Sequence, residues 1–208
     1  MFSRVSSPSS LKDKQVEDIV ELVLSAFSES ELAVLPMVGG DTTLLPELYR
    51  LSVRTAALEG KVTVCEETKS ARILSVSCSY GPGTFFLGSQ KQRDLGFDDF
   101  FNKLSTEGKQ WWAEYFERVK HMPSIVVDSW FVTILATATS EERKEYGSSV
   151  LREVQRIAAG DQTCVALNAT SEKNVAFYSS LGFKVVHTAE RTTPYGTWIS
   201  YITTWSQE

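Results

Sequence analysis

Apolar residues recur at threes and fours from Lys12 onward, at Val16, Ile19, Val20, Leu22, Val23 and Phe27, which predicts an amphipathic helix. A second such run, Leu45, Leu48, Leu51, Val53 and Ala57, predicts a helix from about Thr43 to Leu58 that Gly60 ends. Ahead of both, Phe2 to Val5 would form a short strand. The period then shortens. Residues 61–67 and 71–83 are strand-like runs separated by the polar turn Thr68-Lys69-Ser70, and together they predict an antiparallel hairpin closed by Gly81-Pro82-Gly83. Helical spacing returns over 105–120, where Trp111, Trp112, Tyr115 and Phe116 pair at i, i+4. Such a stripe is either core packing or the wall of a binding pocket.

Beyond Pro123 the order becomes regular. Residues 124–139 predict a long strand, followed by a polar stretch and a helix to Ala159. Residues 163–170 are short and nearly wholly apolar, as expected of a central strand buried on both faces. A helix over 171–181 follows, with Ser171 as its N-cap and Gly182 as its stop. Two strands, 183–191 and 197–205, finish the chain around a turn at Pro194-Tyr195-Gly196. This order predicts a single α/β domain over residues 1–208, a mixed sheet of about seven strands flanked by helices, with an elaborated helical region at about 84–121.

Composition narrows the partners. The 208 residues are 42% hydrophobic and 23% charged, ordinary for a soluble domain, and the net charge of −5 argues against a general nucleic-acid or anionic-membrane binder. Cys65, Cys78 and Cys164 are odd in number and lack CxxC spacing, so free thiols in a reducing compartment are expected. The first fifteen residues hold no apolar segment of signal-peptide length, and a cytoplasmic protein is expected.

The chemistry concentrates in Ser140 to Leu151, "SEERKEYGSSVL". A helix begins there, and its first N–H groups and aligned dipoles favour an anion. Gly147 would let a phosphate approach the backbone, and Arg143 and Lys144 add positive charge. By itself this is equally an ordinary capped surface loop.

Further along, Asn174, Val175, Ala176, Phe177, Tyr178, Leu181, Gly182 and Phe183 resemble a signature of the GCN5-related N-acetyltransferase (GNAT) superfamily, whose F/Y-Y-x-x-x-G-F end falls on Phe177, Tyr178, Gly182 and Phe183. The chain resembles that family most firmly over residues 126–186. The family's acetyl-CoA loop, Q/R-x-x-G-x-G/A, aligns with Glu142, Arg143, Lys144, Glu145, Tyr146 and Gly147. The resemblance implies a GNAT-type fold and transfer of acetyl from acetyl-CoA to a small-molecule amine. It implies that Leu135, Ala136 and Thr137 bond the pantetheine arm through their backbone. Amides from Arg143 to Ser148, Glu145 and Tyr146 included, would hold the pyrophosphate. Asn174 would touch the cofactor arm, with Asn168 and Phe177 beside it, and Tyr178 would protonate the departing thiolate. From the residues alone Tyr178 reads as a core tyrosine with a satisfied hydroxyl, and Asn168 is equally a strand-end turn residue. The general base is Asp128, at the start of the long strand, or His187. Neither nucleic acid nor membrane is expected as a partner, and the chain would be a monomer or homodimer. The segment with Gly81-Pro82-Gly83 and Trp111-Trp112 also resembles an elaboration in fungal small-molecule members.

Two departures from the pattern carry weight. Glu142 replaces the usual Gln or Arg, and Glu145 replaces the first glycine. Two carboxylates near a pyrophosphate weaken binding by about 1 kcal/mol each when partly solvated. A side chain at the first glycine position leaves the loop open if its backbone stays in the helical region and its carboxylate points to solvent, and Arg143 and Lys144 could offset the charge. The alternative function is a GNAT-fold protein with lost or altered activity, either a binding or regulatory module or an enzyme of another reaction.

Overall fold

A computed structural model describes residues 3–7, 10–27 and 32–207. Its elements in chain order are β1 (Ser3–Ser6), α1 (Asp13–Ala26), α2 (Leu45–Glu59), β2 (Lys61–Glu67) and β3 (Ile73–Tyr80). Next come α3 (Gln90–Arg93), α4 (Phe97–Lys103), α5 (Thr106–Lys120), α6 (Ser124–Val127) and β4 (Ser129–Thr137). The chain ends with α7 (Tyr146–Gly160), β5 (Cys164–Ala169), α8 (Glu172–Ser179), β6 (Lys184–Thr193) and β7 (Gly196–Trp205). Seven strands form one sheet in the order β1-β2-β3-β4-β5-β7-β6. Among the described residues only the central β4–β5 pair is parallel. The predicted mixed sheet, helices and terminal hairpin are present. The expected first strand is seen as Ser3–Ser6, and Phe2 lies outside the described residues.

Alternation along β3 shows how the layers form. Val76, Cys78 and Tyr80 turn toward α1 and α2, whose Ile19, Val23, Leu48 and Val53 are essentially inaccessible. The intervening Ser75, Ser77 and Ser79 are also buried, on the face that α7 covers. Small hydroxyl residues there let α7 lie close to the sheet. A second apolar cluster joins Leu151 and Val154 of α7 to Val165 and Leu167 of β5 and to Phe183.

The region between β3 and β4 carries α3 to α6, and Trp112 of α5 is fully buried in it. Its indole meets Phe97 at 5.2 Å edge-on and donates from Nε1 to the Met37 carbonyl at 2.9 Å, tying α5 to the α1–α2 connection. The aromatic stripe thus divides. Trp112 and Phe116 pack into the core, whereas Trp111 and Tyr115 also face a cleft.

Two expectations need correction. Residues 124–127 are a helical turn, not the start of the long strand. Pro123 sets the extended entry, and the N–H groups of Val126, Val127 and Asp128 bond back to the Pro123 and Ser124 carbonyls. β5 is buried on both faces only in its middle, at Val165, Ala166 and Leu167; Asn168 is exposed because β4 has moved away from it. Among the described residues no helix is long and apolar enough to cross a membrane.

Candidate active site

The site originates in a fault in the sheet. β4 and β5 pair from Ser129↔Cys164 to Val132↔Leu167 and no further, although β4 continues to Thr137 and β5 to Ala169. On its other edge β4 stays paired with β3 as far as Ser75↔Thr137. The register there slips between Cys78 and Ser79, so that Thr133 is an extra residue, and its hydroxyl donates to the Cys78 carbonyl at 3.2 Å. A bulge bends and twists its strand. Beyond it, the β5-facing backbone groups of Thr133 to Thr137 have no strand partner, and they border a cleft of about 1760 Å³. Unpaired ladder groups invite an extended ligand that carries amides of its own.

At the end of β4 stands the N-terminus of α7. Glu145 adopts φ 65°, ψ 8°, and Arg143 φ 62°, both left-handed. Glu145 thus takes the left-handed rather than the right-handed helical backbone, with its side chain exposed. A left-handed residue followed by right-handed Tyr146 turns successive N–H groups toward one concave side, a form suited to phosphate oxygens. The N–H of Ser149 donates to the Glu145 carbonyl at 2.9 Å and so closes the first turn of the helix. Gly147 is required by packing: a Cβ there would stand 2.9 Å from Thr137 Oγ1 and 3.8 Å from the Phe177 ring.

Charge at the loop is less favourable than expected. Glu141 is buried and accepts from Arg72 at 2.9 Å and from Lys144 at 3.0 Å. Arg72, and then Lys144, hold its carboxyl below the usual carboxylate range. Lys144 is therefore occupied in fastening the loop to the β2–β3 hairpin, leaving Arg143 as the cation beside Glu142 and Glu145.

α8 supplies the third side. Ser171 caps it, accepting from the Asn174 N–H at 3.2 Å, and Asn174, Phe177 and Tyr178 line the cleft. The Tyr178 ring packs against Phe177 at 5.3 Å and Phe183 at 5.9 Å. Its hydroxyl has no hydrogen-bond partner among the described residues, and burial pushes its pKa up to about 12. Asn168 is oriented by Ser200, whose Oγ donates to Asn168 Oδ1 at 2.7 Å.

The structure thus brings Leu135, Ala136, Thr137, Gly147, Asn168, Asn174, Phe177 and Tyr178 to one cleft. Arg143, Lys144, Glu145, Tyr146 and Ser148 form the loop at its end without lining it. Asp128 does not join them. It ends the α6 turn with its side chain in solvent, outside the cleft, because the helical turn displaces it from the strand. His187 does line the cleft, in the same row as Asn168, since both lie opposite Ile202 of β7.

Sequence reading missed Ser200, Trp198 and the Arg72–Glu141 anchor. Ser200 and Trp198 were legible only as every second residue of β7; the anchor, 69 positions apart, left no local signal.

No family model and no curated protein sequence matches the chain. Solved structures do. A Corynebacterium glutamicum protein described as histone acetyltransferase HPA2 and related acetyltransferase superposes with a TM-score of 0.69 at 18% identity, over 100% of this chain and 98% of its own. Arylalkylamine N-acetyltransferase 2 of Aedes aegypti gives 0.67 at 13% identity, over 99% of both chains. The polyamine N-acetyltransferase of Drosophila melanogaster gives 0.63 at 11%, over 99% of this chain and 100% of its own. Full-length superposition at such low identity is a likeness of architecture, and it shows that this chain has the GNAT-type α/β fold of these acetyltransferases.

Proposed function

We propose that the protein transfers an acetyl group from acetyl-CoA to the amine of a small molecule. The observation that carries this reading is the divergence of β4 from β5, which leaves backbone groups of Thr133 to Thr137 unpaired beside the free hydroxyl of Tyr178. The likeness to arylalkylamine and polyamine N-acetyltransferases supports it.

Acetyl-CoA, when bound, would supply a thioester-activated acetyl group. The chain's own residues have separable tasks. Backbone groups of Leu135, Ala136 and Thr137 bond the amide-bearing arm as an added strand would. Amides around Glu145 to Ser148 receive the pyrophosphate. Asn174 and Phe177 border the arm from α8. The amide nitrogen of Asn168, whose oxygen is engaged by Ser200, is left as a donor at the cleft. Tyr178 keeps its proton at Oη across the neutral range and can deliver it to a leaving thiolate. His187, in the cleft where Asp128 is not, takes the role of base toward the incoming amine. The chemistry requires no other ionised group.

One observation favours a second reading, a GNAT-fold binding module with weakened cofactor affinity. Lys144 is bound to Glu141, so two exposed glutamates at the loop face a single free cation among the described residues. Thermal unfolding with and without acetyl-CoA, followed by free-thiol release across an amine panel, separates the two. A rise in Tm together with thiol release supports the transferase. A rise without thiol release from any amine favours the module, and no rise at millimolar acetyl-CoA removes the cofactor from both.

A further inference from the structure

We propose that the end of the cleft remote from Tyr178 is an anion subsite built by Arg118, Arg191 and the Trp198 indole, and that the acceptor is an amine bearing an oxyanion at its opposite end. The amine half of this statement rests on the transferase reading; the subsite rests on its own residues.

Register brings the groups together. Arg191 of β6 lies directly opposite Trp198 of β7, and directly opposite residues share a face. Both line the cleft, as do Ser200 and Ile202 on the same side of β7. Across the cleft α5 presents Arg118. Its guanidinium lies over the Trp111 ring, 5.4 Å from the centroid, and Trp111 stacks on Tyr115 at 5.6 Å with an interplanar angle of 10°. The Tyr115 hydroxyl donates to the Phe86 carbonyl at 3.0 Å, so the stack is anchored at its far side. The cation is held in place before any ligand arrives.

These groups are donors short of acceptors. Trp198 Nε1 is buried with no hydrogen-bond partner. Arg191 makes no ion pair or hydrogen bond among the described residues, and Arg118 has only Glu114, at 3.6 Å. Of the other carboxylates on these walls, Glu117 is engaged by Lys120 at 2.6 Å, and Glu190, which also borders the cleft, stands one residue from Arg191 and so on the alternate side of β6. Burial lowers the pKa of the Arg118 guanidinium, Glu114 opposes that, and the like charge of Arg191 lowers it further. Two solvent-accessible guanidiniums and a buried, unpartnered indole N–H bordering one cleft are suited to an oxyanion, which a guanidinium fork fits in two bonds.

The strand rise supplies a ruler. Asn168 and His187 flank Ile202, and Arg191 flanks Trp198, four residues along β7. At ~3.3 Å per residue the two rows are about 13 Å apart. An extended amine with its anion at the far terminus spans that distance once the arginine side chains reach inward.

The test measures thiol release from acetyl-CoA with ω-aminocarboxylates of increasing length, the matched aminoalkyl phosphates, and neutral alkylamines and diamines. One anionic series is expected to exceed neutral amines of equal length about tenfold or more in kcat/KM, as a charge-assisted pair implies. Arg118→Gln and Arg191→Gln should bring that ratio near one, and Arg191→Lys should restore part of it. Equal rates, preference for diamines, or variants that slow every acceptor alike overturn the proposal. Calorimetric binding of an N-acetylated ω-aminocarboxylate against its amide requires no catalysis. Carboxylate binding that both glutamine variants abolish sustains the subsite even without thiol release, an outcome that defeats the transferase reading alone. No preference for the carboxylate defeats the subsite, and thiol release from neutral amines then leaves the transferase reading standing.

Discussion

Glu145 occupies the position of the family pattern's first glycine with a left-handed backbone, and two variants divide its effects. Its carboxylate borders the proposed pyrophosphate site, and its backbone is left-handed at φ 65°. A unit charge roughly 7 Å from a pyrophosphate of charge about −2, at an effective dielectric of about 40–80, costs about 1–2 kcal/mol. That is roughly a five- to thirtyfold weakening of the Kd. Glu145→Gln removes the charge and keeps the strained backbone; Glu145→Gly removes both. Left-handed geometry costs a non-glycine residue about 1–2 kcal/mol, and glycine returns about 0.4–1 kcal/mol of that through the freer unfolded chain. Stability should therefore rise by about 1 kcal/mol or less in Glu145→Gly and hardly move in Glu145→Gln. Both variants should bind acetyl-CoA about five- to thirtyfold more tightly by calorimetry at low salt, and the gain should shrink as the Debye length falls from about 10 Å at 0.1 M to about 3 Å at 1 M. An unchanged Kd in Glu145→Gln at low salt, or a gain indifferent to salt, would refute the electrostatic reasoning.

Tyr178→Phe should lower kcat by about a hundredfold, within the usual range for a lost general acid, with the acetyl-CoA Kd unchanged. Its folded pKa of about 12 lies above the ordinary tyrosine value of 10, so its share of stability is present below pH 10 and lost as pH rises from 10 to 12. Circular dichroism should accordingly show a shallower loss of stability over that window in the phenylalanine variant. Ser200→Ala frees the Asn168 amide to rotate, and kcat/KM should fall about tenfold, the cost of about one net hydrogen bond, while the unfolding midpoint stays close to the parent's. Trp112→Phe leaves the Met37 carbonyl unpaired and a gap beneath α5; denaturant unfolding should show a loss of about 2–4 kcal/mol.

The elements themselves were legible in the chain. The periods of α1, α2, α5 and α7, the Ser171 cap, the stop before Gly182 and the two hairpins depend on residues a few positions apart, and local sequence records such relations. The Asn174–Phe183 signature likewise located the loop before it, because both lie on one strand–helix–strand–helix unit. The error at residues 124–127 has a local cause too: a β-branched run reads as strand, yet Pro123 and the backbone bonds it permits close a helical turn there.

What the sequence determined alone is thus the order of elements, the α/β class and the identity of the residues around Tyr178. Tertiary structure decided what those residues face. The separation of β4 from β5 follows from a bulge at Thr133 and from pairing between strands 30 or more positions apart, as in Val132↔Leu167. Lys144 goes to Glu141 because Arg72 has already drawn that carboxylate toward the hairpin. Asp128 leaves the site and His187 enters it through a displaced strand start and a cross-strand row. Arg118 and Arg191 line one cleft although 73 residues part them. Register, burial and charge pairing act through space, and residues far apart in the chain carry no periodic trace of the neighbours they acquire on folding.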